Sequence, residues 1–233
     1  MSAVFKREFK AYFSTPIGYI VLAAFYFFLG LYFYIIYSGG SPYIEACIIA
    51  MSTVAVFTMP VLTMRLMSED RRQKVDQALL TAPVKITSVV LGKFLAAFAV
   101  FALSFAPTVI FEIIVASYVS VNVLSYLYAL LGAMLLGGAL IAIGMFISSL
   151  TESAVISAIL TLLVNIMVLY MSSFASMINV EWLASVVAKA AFITAFENFG
   201  NSVFSVADVV YFLSIIFVFV FLSVRSLEKR RWS

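Results

Sequence analysis

The stretch IGYIVLAAFYFFLGLYFYIIY, residues 17–37, carries no charged side chain. At about 1.5 Å per helical residue it is long enough to cross the roughly 30 Å hydrocarbon layer of a bilayer. Ser14-Thr15-Pro16 ahead of it reads as a helix start with proline in the first turn. Ser38-Gly39-Gly40-Ser41-Pro42 behind it reads as a turn.

Working outward, the same signature recurs. Apolar runs cover about 46–64, 88–119, 123–149, 154–176 and 206–225. The runs 88–119 and 123–149 exceed the roughly 20 residues a span needs, so they should tilt, kink or protrude. Pro107 is the expected kink in the first of them. The whole chain has 233 residues, 65% hydrophobic and 11% charged, where a soluble domain would carry about a quarter charged. Lipid must therefore be its main solvent, and the expected fold class is an all-α membrane protein of six transmembrane helices in a single domain, 1–233.

The segments between the spans have character of their own. Residues 2–14 set Phe5, Phe9, Tyr12 and Phe13 on one side of a helical wheel and Lys6, Arg7 and Lys10 on the other. That suits an interfacial helix, a basic flank being the alternative. Residues 68–82 hold Ser68 as a cap, Glu69 and Asp70 at the positive end of the helix dipole, and Pro83 as a stop. Here a charged cytoplasmic helix is expected, with Arg71 and Arg72 on its rim and Val75 and Leu79 as apolar anchors, rather than a solvated linker. Residues 177–203 read as a short amphipathic, outer-leaflet segment before the last span.

Thirteen of the 14 Lys and Arg residues fall into three clusters, at 6–10, 65–93 and 225–231. By the positive-inside rule these face the cytoplasm, which puts both termini there in a multi-pass plasma-membrane protein. The 149–153 turn belongs on the same side, although it carries only Glu152. Clusters beside apolar runs are anchors, not the continuous basic face that nucleic acid requires.

Composition also excludes chemistry. There is no histidine and one cysteine, Cys47, so HExxH metalloproteases, Ser-His hydrolases, histidine proton relays and an internal disulfide framework are ruled out. No GxxxxGK[ST] phosphate loop occurs. The expectation is a chain with no catalytic residue, no metal and no cofactor, energised by another protein if at all.

Two features inside the spans carry polarity. Ser153, Ser157, Thr161 and Asn165 recur every four residues along the fifth run. Such a stripe serves close helix packing, or lines a substrate path or subunit seam; both readings stand. Glu112 is the one acid well inside a run, where an ionisable group is functional by default, unless it reaches water at the outer end.

MRLMSEDRRQKVDQALLTAPVKITSVVLGKFLAA (Met64–Ala97), GMFISSLTES (Gly144–Ser153) and DVVYFLSIIFVFVFLSVRSLEKRRW (Asp208–Trp232) resemble ATP-binding-cassette (ABC) transporter permeases of the type-two exporter family. The opening KREFKAYFSTPIGYI (Lys6–Ile20) is similar to the gliding-motility branch of that family. The resemblance implies an exporter permease that pairs with a second copy, as a homodimer or related heterodimer, and with two cytoplasmic ATPase subunits that hold ATP and Mg. It also implies that residues 2–14, 68–82 and 148–154, Glu152 included, rest on the ATPase. A non-transporting mechanotransmission or scaffold subunit is the alternative. A secondary transporter is disfavoured by the scarcity of intramembrane ionisable groups.

Overall fold

The computed structural model describes residues 1–40, 44–72, 85–120, 122–175, 191–201 and 203–231. Among them the secondary structure is helical throughout: α1 (Ser2–Ser14), α2 (Pro16–Ser38), α3 (Ile44–Thr63), α4 (Ser68–Arg72), α5 (Ile86–Ser104), α6 (Ala106–Ala116), α7 (Val123–Leu150), α8 (Ala154–Leu169), α9 (Met171–Ala175), α10 (Phe192–Gly200) and α11 (Val206–Arg231). Helices are the expected solution where no water competes for backbone N–H and C=O groups, because each helix satisfies its own.

Among the described residues five stretches are long and apolar enough to cross a membrane: Pro16–Ser38, Ile44–Arg72, Ile86–Ala116, Val123–Leu150 and Val206–Lys229. The chain is a multi-pass membrane protein. The run expected over 154–176 is different. Its helix α8 has 16 residues, about 24 Å, and the chain turns at Tyr170 before α9 begins. The last residue of that run, 176, and residues 177–190 of the expected outer segment 177–203 lie outside the described residues; α10 falls within the rest of that segment.

Proline decides two of the helix boundaries. Pro16 stands in the first turn of α2, where its missing N–H costs nothing. Pro107 does not bend a continuous helix. The chain leaves α5 at Ser104, passes through Phe105 and restarts as α6 with proline in its first turn, so no intrahelical bond is lost to the ring.

The bundle is built around α7, which packs against α3, α5, α8, α10 and α11. Small residues let its neighbours close in. A methyl placed on Gly137 would come within 1.9 Å of Phe101 Cε1, and one on Gly144 within 2.3 Å of Thr63 Oγ1. The outward faces are apolar instead of polar: Phe27 and Tyr34 on α2, Ile113 on α6, Leu163 and Met167 on α8, and Phe217 on α11 are exposed. In water that surface would aggregate; in lipid it is the correct surface.

Successive spans alternate in direction, so the molecule has two chemically distinct ends. Every described Lys and Arg lies at the end that gathers α1, 64–72, 85–93, 148–154 and 225–231. At the other end the described charges are all acidic: Glu45, Glu112, Glu197 and Asp208. There α10 tucks against α3 and α7, with Phe196 and Phe199 fully buried. Asn198 donates to Asp208 at 2.8 Å.

Candidate functional site

The basic end is organised by one lysine. Lys93 lies two turns into α5 and is 1% exposed. Its Nζ donates to the Leu66 carbonyl at 2.7 Å and pairs with Asp70 Oδ2 at 2.8 Å and Glu8 Oε1 at 3.3 Å. Gly92 explains how α1 comes so close. A Cβ there would stand 3.0 Å from Val4 Cβ and 3.3 Å from the Phe5 amide, so α1 crosses α5 backbone to backbone, and Glu8 arrives one turn later.

The aromatic face of α1 does the rest of its anchoring. Phe5 stacks on Phe9, and Phe9 meets Phe13 at 5.2 Å. Tyr12 is buried and donates its hydroxyl to the Leu62 carbonyl at 2.9 Å. That burial, with Glu8 nearby as the smaller cause, pushes the Tyr12 phenol up. Arg7 grips Glu8 through Nε at 3.1 Å and Nη2 at 2.5 Å; this hydrogen bonding raises the Arg7 guanidinium above its usual value. Glu8 is therefore shared between Arg7 and Lys93.

The turn that joins α3 to α4 is held from α7. Ser148 Oγ accepts from the amides of Met67 and Ser68, both at 3.1 Å, and donates to the Met64 carbonyl at 3.1 Å. Those two amides open a helix and have no intrahelical acceptor. Sequence reasoning expected Ser68 to cap, but its hydroxyl turns back to the Met64 carbonyl, and Ser148 from a distant span takes the capping place. Arg71 then reaches the next segment: its Nη1 donates to the Leu150 carbonyl at 2.9 Å and its Nε pairs with Glu152 at 2.9 Å.

The structure thus brings together the described parts of all three segments singled out in the sequence. Asp70 joins Lys93, Arg71 joins Glu152, Glu69 lies 3.8 Å from Arg65, and Arg72 is exposed. Val75 and Leu79 lie outside the described residues. A cleft of about 350 Å³ opens beside this network, lined by Arg7, Glu8, Tyr12, Arg65, Glu69 and Lys93 among others.

The stripe of α8 lies elsewhere. Ser157, Thr161 and Asn165 are fully buried, facing α3 and α7, while Ser153 stands half-buried at the start of the helix. Hydroxyls in the other spans turn back on their own helix, as Thr58 does to Val54, Thr63 to Met59 and Ser223 to Phe219. Among the described residues, Ser157 Oγ, Thr161 Oγ1 and both polar atoms of Asn165 have no hydrogen-bond partner. Glu112 is half-buried on α6 near the acidic end, with Glu45 as a charged neighbour.

Sequence reasoning missed Lys93, Glu8 and Ser148 as site residues. For Lys93 a signal was present: it sits inside the apolar run 88–119, not ahead of it, and a lysine at that depth needs a partner. For Glu8 and Ser148 no local signal exists, since the Lys93 pairing of the one and the capping role of the other involve residues 80 or more positions away.

A family model described as ABC-2 family transporter protein matches residues 37–225. The match takes in α4, Lys93, Ser148, Glu152 and the α8 stripe, and leaves out the opening Lys6–Ile20. No curated protein matches the chain.

Proposed function

We propose that the chain, which belongs to the ABC-2 transporter family, is the membrane-spanning permease subunit of an ABC exporter. It pairs with a second permease copy and is driven by ATP hydrolysis on separate cytoplasmic ATPase subunits. The observation that carries this reading is the network at the basic end. Residues 2–14, 68–82 and 148–154 are the segments that the family resemblance assigns to the ATPase, and charged side chains of their described residues interlock through Lys93 and Arg71. A displacement applied to residues 68–72 is delivered to α3, α5 and α7 together through these bonds, as rigid-body coupling requires, and α1 is linked to that body through Glu8.

The reading orients the molecule with its basic end in the cytoplasm, in keeping with the positive-inside rule. It counts α8 with α9 as a sixth, broken span. It also gives the α8 stripe a purpose. Unpartnered polar groups in a dry interior are costly, and that cost is offset when α8 parts from α3 and α7 and the stripe meets water or a polar part of a substrate. Each nucleotide state of the ATPase would favour one arrangement through its differential contacts.

The deciding experiment co-expresses the chain with candidate ABC ATPase subunits from its own genome, purifies any complex and reconstitutes it in proteoliposomes. ATP hydrolysis that depends on the permease, together with ATP-driven movement of a co-purifying compound, is the expected result. A complex that hydrolyses ATP but moves nothing supports the mechanotransmission alternative instead, and the absence of any complex refutes ATPase coupling.

A further inference from the structure

We propose that Lys93 is a positioning residue acting as a one-sided latch: it holds α5 firmly to the 66–72 segment and releasably to α1. Three oxygens surround its ammonium: it donates to the Leu66 carbonyl at 2.7 Å and is ion-paired with Asp70 at 2.8 Å and Glu8 at 3.3 Å. The lysine side chain is 2% exposed, so in this arrangement these oxygens, and not water, surround its charge.

The three partners are not equivalent. If α1 moves off, Glu8 travels with Arg7, its neighbour on the same helix and already bonded to it through two nitrogens. Lys93 keeps Asp70 and the Leu66 carbonyl. No ion is left alone in a dry site. If the 66–72 segment moves off instead, Lys93 loses its hydrogen bond to the Leu66 carbonyl and the nearer of its two carboxylates at once, and Asp70 leaves its ammonium. Separating a buried ion from its partner is strongly unfavourable. The contact at Gly92 points the same way, because the chain there offers no side chain to interlock with Val4 and Phe5.

The 66–72 segment and α5 therefore move as one body, and α1 swings against them by passing Glu8 from Lys93 to Arg7. What drives the swing rests on the functional reading above. The latch itself is a property of this chain alone, and its test is arranged accordingly.

Two measurements use the full-length chain without any partner. In a Cys47→Ser background, Val4→Cys and Gly92→Cys place two thiols within disulfide reach after a shift of about half an ångström. Adding Glu8→Gln, which frees α1, should lower the fraction oxidised in membranes at a fixed time at least about threefold. In detergent, Asp70→Asn should lower the apparent Tm by about 10 °C, more than twice the effect of Glu8→Gln. Adding Lys93→Met to Asp70→Asn should recover most of that loss, because no buried ion then stands alone. Should the Lys93→Met variants fail to fold, the comparison of Glu8→Gln with Asp70→Asn still decides. Equal Tm losses from those two, or oxidation unchanged by Glu8→Gln, would overturn the latch.

A third measurement uses the complex with the ATPase. The disulfide-locked form should hydrolyse ATP several-fold more slowly and recover on reduction with dithiothreitol. Full activity while locked would overturn the release of α1. A chain that binds no ATPase refutes the functional reading alone, since the two partner-free measurements still judge the latch.

Discussion

Arg71 of α4 and Glu152 of the turn after α7 meet at 2.9 Å, although 81 positions separate them in the chain. The same guanidinium also donates to the Leu150 carbonyl at 2.9 Å. The ends of two spans are thereby fastened together at the basic face of the molecule, beside the Ser148 hydroxyl that caps the 67–68 amides.

Because the Glu152 side chain is 64% exposed, the pair adds at most about 1 kcal/mol to stability. Its effect should appear in coupling and not in folding. Arg71→Glu is expected to leave Tm within about 3 °C of the wild type and to abolish permease-dependent ATP hydrolysis. The exchange Arg71→Glu with Glu152→Arg should restore about half of it. Hydrolysis that stays absent in the exchanged variant would show that the pair is not what joins the two segments.

Charge reversal across α4 separates a buried role from an exposed one. Asp70→Lys sets a second cation against Lys93 and should cost roughly 3–5 kcal/mol, seen as loss of folded protein from the membrane. Arg72→Glu changes an exposed side chain, so Tm should hold while affinity for the ATPase subunit falls about tenfold, or about 1.4 kcal/mol. Wild-type affinity in Arg72→Glu would move the principal contact to residues 2–14 or 148–154.

The stripe on α8 gives a prediction in which stability and function diverge. Asn165 is fully buried, and neither of its polar atoms has a partner among the described residues. Asn165→Leu should raise stability by about 1–2 kcal/mol, or roughly 3–6 °C in Tm, and at the same time lower ATP-driven transport. Thr161→Leu should lose both, because it adds bulk beside Gly144, at a cost of about 1–3 kcal/mol. An Asn165→Leu variant that is more stable and transports normally would reduce the stripe to a packing feature.

Orientation can be read directly with an impermeant maleimide on intact cells. Asn201→Cys, exposed at the acidic end, should label, and Arg72→Cys should label only after permeabilisation. Cys47 is buried, so the background is low. The opposite pattern would place the basic end outside and remove any cytoplasmic ATPase contact from residues 64–72.

Much of the fold was legible in one dimension. Charge-free runs such as 17–37 dictate helices and their lipid solvent, because in hydrocarbon the backbone must bond to itself and a helix does so using only neighbours in sequence. The gathering of 13 of the 14 arginines and lysines into three clusters foretold a molecule with one basic end. The four-residue recurrence of Ser157, Thr161 and Asn165 placed them on one face of α8, since that face is a consequence of helical pitch. Pro107 was legible as an interruption, though not as the start of a new helix.

What the tertiary structure decided is which of these groups meet. Lys93 reads in the sequence as one more cytoplasmic anchor, and only the approach of α1 over Gly92 and of the 66–72 segment surrounds it with Glu8, Asp70 and the Leu66 carbonyl. Ser148 becomes a helix cap for residues 80 positions earlier, and Arg71 finds a carboxylate beyond the end of α7. Hydropathy and helical period are local sums over neighbouring residues, so a sequence carries them openly. An ion's burial and its partners depend on distances of about 3 Å between segments far apart in the chain, and those distances are set by how small residues let the helices close.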